Sequence, residues 1–89
     1  MKLKKGYVVR EIANEIIVVP TGEEAIHFNG IMTLNKTGKT LFEALLSDQT
    51  IESLLEIILN KYDIDKAKAL QDIESFITVL KKKELLRDE

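Results

Sequence analysis

Asn29-Gly-Ile-Met-Thr-Leu-Asn-Lys-Thr-Gly38 is the stretch where the pattern of apolar residues changes period. Before Asn35 the apolar residues stand in short β-branched runs, and after it they recur every three or four positions. A strand therefore ends and a helix begins at one residue. Asn29-Gly30 is the strongest turn dipeptide in the chain, which sets Ile31 to Leu34 as a short strand abutting the switch.

Upstream, Tyr7 to Ile12 and Glu15 to Val19 are rich in Val and Ile and are separated by Ala13-Asn14, the pattern of an antiparallel hairpin. Pro20-Thr21-Gly22 should stop the second strand, because proline cannot donate to a ladder. Glu23 to Phe28 fits either a strand or a loop. Ile16 to Val19 is apolar on both faces of its strand, so something should cover the outer face of the sheet: a homodimer partner, a partner enzyme or the chain's own N-terminus.

Downstream, three helices are expected. The first is capped by Asn35, with Thr37 as a second candidate, and carries the stripe Leu41, Phe42, Leu45, Leu46. The second follows Ser47-Asp48-Gln49-Thr50, with Ser47 or Thr50 as its cap, and repeats Ile51, Leu54, Leu55, Ile58, Leu59, Tyr62 at helical spacing. Asp63 or Asp65 can cap the third, which carries Leu70, Ile73, Phe76, Ile77 and Leu80 and ends in Lys81-Lys82-Lys83, suited to the negative end of the helix dipole. Strands first and helices after, without alternation, make an α+β fold: a three-stranded antiparallel sheet followed by a three-helix bundle, similar to a winged helix with its sheet moved to the front.

Composition bounds what such a chain can do. Its 89 residues make a single domain, and an apolar fraction of 45% can supply one core. Thirteen basic against fifteen acidic side chains leave a net charge of −2, which gives no global attraction to nucleic acid or anionic lipid. With no cysteine there is neither a disulfide nor a thiolate ligand, and the expected compartment is the reducing cytoplasm. The basic start Met1 to Lys5 lacks the apolar segment of a signal peptide, and no run reaches the length of a membrane span.

Catalytic chemistry finds little to work with. His27 is the single histidine and has no evident partner, and Asp63 and Asp65 read as helix caps rather than cation ligands. Thr37-Gly-Lys-Thr40 echoes the end of a phosphate-binding loop, but Thr33 stands where the earlier glycine is required. No enzyme activity, metal or cofactor is expected. A winged-helix regulator of DNA is the alternative function, yet the second helix exposes Glu52, Ser53, Glu56 and Asn60 and the third a mixed face, and neither suits a groove lined with phosphate.

The order of the hairpin, Leu34-Asn35, Thr37-Gly38, Leu41-Phe42, Thr50-Ile51-x-x-Leu54, Tyr62-Asp63-Ile64-Asp65, Asp72-x-x-x-Phe76-Ile77-x-x-Leu80 and Leu85-Leu86 resembles the PqqD family, the precursor-peptide recognition elements of ribosomally made peptide pathways. The likeness runs from about Lys4 to Leu86 and departs from the family's frequent Trp by placing Phe42 in the first helix. It implies a free-standing, non-catalytic chaperone. Such a protein binds the leader segment of a precursor peptide as an added strand, antiparallel to the third strand and lodged against the third helix. It then presents the peptide to a modifying enzyme, often a radical S-adenosylmethionine enzyme.

In this chain the docking strand would be Ile31, Met32, Thr33 and Leu34. Alternation sets Met32 and Leu34 on one face and Ile31 and Thr33 on the other. An edge strand leaves backbone groups open for β-augmentation, while side-chain pockets must supply selectivity. The expected walls are Ala69, Ile73 and Phe76, with Lys66 and Lys68 attracting acidic leader residues.

Overall fold

The computed structural model describes residues 1–21 and 32–87. Ile31, the Asn29-Gly30 turn, His27 and the ambiguous Glu23 to Phe28 lie outside them. Within the described residues the elements run β1 (Lys2–Leu3), β2 (Tyr7–Ile12), β3 (Glu15–Pro20), β4 (Met32–Leu34), α1 (Lys36–Ala44), α2 (Ile51–Lys61), α3 (Lys66–Lys82) and β5 (Leu86–Arg87). The antiparallel sheet β2-β3-β4 precedes the three helices, as the change of period requires.

The hairpin closes through Ala13 at φ 52° and Asn14 at φ 67°. Two successive positive φ values are the signature of a type I′ turn, whose twist matches that of its strands. Alanine is an unusual occupant of such a position, which explains why the dipeptide is a weak signal in the sequence. β3 ends at Pro20, within the Pro20-Thr21-Gly22 stop, with the proline itself as its last residue. Pro20 pairs opposite Tyr7, and the next donor, the Thr21 N–H, reaches the Gly6 carbonyl at 2.7 Å. A terminal position tolerates proline because the ladder no longer needs its missing N–H.

Val9, Val18 and Met32 lie in one row across the sheet, and Val18 and Met32 are buried. Alternation then turns Val8, Ile17 and Val19 to the other face, where Thr33 is exposed beside Ile17. The N-terminus does not cover that face. It forms β1, which pairs with β5 at the opposite end of the chain, and the Leu3 N–H donates to the Leu45 carbonyl at 2.9 Å. These two short strands escape a sequence reading because two residues carry no periodicity. Their anchors are tertiary: Leu3 and Leu85 are both buried.

The helices begin where the sequence places their caps. Asn35 accepts the Gly38 N–H at 2.7 Å, Thr50 and Ser53 form a reciprocal capping box, and Asp65 accepts the Ala67 N–H at 3.2 Å. Leu41, Phe42, Leu45, Leu54, Ile58, Ile73 and Leu80 make a fully buried centre. Leu46 departs from the expected stripe. It is 58% exposed because α1 ends at Ala44 and the chain has already turned away from the core. Tyr62 ties the end of α2 back to α1, its hydroxyl lying 2.8 Å from Thr40 Oγ1 and donating to the Lys36 carbonyl at 3.2 Å. Asn35→Ala should cost about 1 kcal/mol, the usual worth of an N-cap, read as a lowered urea midpoint with unchanged m-value.

Candidate functional site

Asn35 joins the last residue of β4 to the first turn of α1, so the edge of the sheet and the start of a helix are held in fixed relation. On one side of that junction lies α3. Between them runs a groove made of two adjoining cavities of about 330 and 260 Å³ that share Asn35, Gly38, Phe76 and Val79. The first cavity adds Met32, Thr33, Leu34 and Lys83, and the second adds Thr37, Leu41, Asp72 and Ser75. Along the groove, the sequence rises from Met32 to Thr37 on one wall while it falls from Lys83 to Asp72 on the other. Among the described residues β4 pairs with β3 along one side and with no strand along the other.

Gly38 is what lets the first turn of α1 fold this close against the end of β4. A Cβ there would stand 3.1 Å from Asn35 Oδ1 and 3.5 Å from Leu34 Cβ, pressing on the capping oxygen and on the end of β4. The same residue donates the capping hydrogen bond and lines both cavities.

Alternation along β4 places Met32 and Leu34 inward and Thr33 outward, and all three reach the groove. Phe76, half-buried, lies at its centre. Ala69 and Ile73 belong elsewhere: both have no exposed surface and pack in the core, so they support the groove from beneath rather than walling it. Lys66 and Lys68 are exposed on the first turn of α3, outside the residues that line the groove, and Lys68 Nζ is bound to Asp72 Oδ1 at 3.1 Å.

Sequence reasoning passed over Asn35, Thr37, Gly38 and Leu41 on one wall and Asp72, Ser75, Val79 and Lys83 on the α3 wall. The signal of the α3 wall is present in the chain. Positions 72, 76, 79 and 83 fall on one helical stripe, rotated by roughly one residue from the core stripe 69, 73, 77, 80. Two apolar residues, Phe76 and Val79, between Asp72 and Lys83 are too thin a pattern to separate the rim of the core from the core itself.

A second, more polar cleft of about 610 Å³ lies between the hairpin and α1, lined by Glu11, Lys36, Lys39, Glu43, Lys61 and Tyr62 among others. Lys39 Nζ donates to Glu11 Oε1 at 2.7 Å. That hydrogen bond, and then the charges themselves, lower the Glu11 carboxyl and raise the Lys39 ammonium. The bridge therefore holds at neutral pH. It fades as the pH falls below 4.5, the ordinary carboxyl value, or climbs past 10.5, that of the ammonium. Both groups are solvent-exposed, so the effect on stability is small. Among the described residues no group of three or more His, Cys, Asp or Glu could hold a metal ion, and no helix is long and apolar enough to cross a membrane.

The family model described as Coenzyme PQQ synthesis protein D (PqqD) matches residues 15–86. The chain belongs to the PqqD family. That span takes in β3, β4, the three helices and the first residue of β5, and so includes both walls of the groove. Two solved structures share the fold of this PqqD-family chain. TbiB1 in complex with the TbiA(beta) leader peptide is 21% identical with a TM-score of 0.74, covering 100% of this chain and 98% of that one. A lasso peptide synthetase B1 complexed with the leader peptide is 17% identical with a TM-score of 0.71, covering 98% and 96%. No curated protein matches the chain.

Proposed function

We propose that this PqqD-family chain is a non-catalytic peptide chaperone: it binds the leader segment of a ribosomally synthesised precursor peptide and presents it to a modifying enzyme in the cytoplasm. The observation that carries this is the side of β4 that pairs with no strand among the described residues, set beside an apolar groove on α3. The two structural neighbours support it, since both are complexes with leader peptides. The 89 residues act as one recognition unit, and a radical S-adenosylmethionine enzyme is the partner class that the family resemblance implies.

The leader adds as a strand along Met32–Leu34, antiparallel to it, and sends alternate side chains into the groove. Each main-chain hydrogen bond contributes only about 0.5–1.5 kcal/mol net, so Phe76, Val79 and Met32 supply the selectivity through apolar burial. Thr33 and Leu34 complete the docking edge, and Ile31, expected there from the sequence, lies outside the described residues. Lys66 and Lys68 lie beyond the groove wall and act on a docked peptide through long-range charge alone.

The test is titration of a labelled leader, taken from a precursor gene beside this one, together with versions N-methylated at single amides. Methylation of the amides that face β4 should weaken binding by about three- to tenfold each, and methylation of the intervening amides should not. Equal losses at every position would rule out strand addition. Tight binding of duplex DNA with a steep salt dependence would favour the winged-helix alternative instead.

A further inference from the structure

We infer that the docked segment carries an acidic residue just after its apolar anchors, read by Lys83 at the end of the groove. This rests on the strand-addition reading above and deepens it.

The two ends of the groove differ in charge. At one end Asp72 is already matched by Lys68 at 3.1 Å, and the Gly38 N–H of α1 is matched by Asn35, so neither a free anion nor a free donor dominates there. At the other end Lys83 lines the cavity beside Met32 and Thr33, and it makes no ion pair among the described residues. Lys81 and Lys82 precede it in the last turn of α3 and Glu84 follows. Lys81 and Glu84 line a separate cavity with Met1 and Lys4, so the Lys83 ammonium is the charge that the groove itself carries at this end. The end near Met32 is therefore cationic, within a protein whose net charge is −2.

Direction follows from topology. Lys83 faces the start of β4 and Asp72 the end of it, so a strand added antiparallel to β4 arrives with its N-terminal part near Asp72 and its C-terminal part near Lys83. Side chains on one face of that strand are spaced by about 7 Å, so the two cavities take apolar residues near i and i+2 and the acidic residue comes one to three positions later. A parallel strand would reverse the order. The position of the acid relative to the anchors thus reports the strand direction as well as the contact.

A random-peptide display library panned on the intact protein tests this without knowledge of the natural leader. Peptides enriched on the wild type and lost on Val79→Asp should share apolar anchors followed by Asp or Glu. Replacing that acid by its amide should weaken an enriched peptide about two- to fivefold at low salt, and Lys83→Gln should erase the difference. On Lys83→Glu the enriched position should turn to Lys or Arg. Enrichment that depends on Val79 but shows no acid, an acid that persists on Lys83→Gln, or an acid placed before the anchors would overturn the inference while leaving the groove reading standing. Failure of any peptide to depend on the groove would overturn both.

Discussion

Val79→Asp should weaken leader binding by tenfold or more while the protein stays folded. Val79 lies 40% exposed on α3 and belongs to both cavities of the groove, so any strand docked along β4 covers it. A carboxylate there must lose water without gaining a partner, a penalty of about 1–3 kcal/mol in proteins. In the free protein the same side chain points to solvent, where a substitution changes stability by no more than about 0.5 kcal/mol. Fluorescence anisotropy with a labelled leader reads the first effect and a thermal melt the second. Leu46→Asp is the control: Leu46 is more exposed still, at 58%, but lies outside the groove, and its replacement should leave affinity unchanged. Equal losses in the two variants would mean that the groove is not where the peptide sits.

Phe42→Ala acts at the other extreme. Phe42 is 1% exposed and packs in one buried cluster with Leu41, Leu45, Leu54, Ile58, Ile73 and Leu80, the residues through which all three helices meet. Emptying such a site costs about 3–5 kcal/mol, a large share of the 5–15 kcal/mol that holds a typical domain together. The midpoint of thermal unfolding should drop by about 15–30 °C. Because Ile73 and Leu80 also back the groove wall, leader affinity should fall together with stability. A loss below about 1.5 kcal/mol would show that the helices do not share a single core.

Much of this fold is legible in the sequence because its signals are local. The caps at Asn35, Thr50 and Asp65 and the alternation of Met32, Thr33 and Leu34 need only neighbouring residues to act. The β1–β5 pair is different. Lys2–Leu3 and Leu86–Arg87 become strands because the chain ends meet over the core, and two residues cannot announce that. The groove was half legible for a related reason. Periodicity finds the stripe of α3 that packs inward, so Ile73 stands out, and it is fully buried, as is Ala69, which the family resemblance adds to the expected walls. The rim of the groove is the next stripe, where Asp72, Val79 and Lys83 look like ordinary surface until β4 is placed opposite them. Only Phe76 belongs to both descriptions. Lys83 shows the same effect in charge, since the lysine run reads as a helix end by itself and as the cationic mouth of a groove once Met32 lies beside it.

If a leader peptide pairs with β4 on the side that has no strand among the described residues, against α3, amide hydrogen exchange of the protein, measured residue by residue with and without the leader peptide, will register it. New protection is expected within Met32–Leu34 and slowed exchange around Phe76 to Lys83, with α2 unchanged. Protection confined to α2 or to the hairpin cleft near Lys39, with β4 exchanging as fast as before, would contradict that pairing.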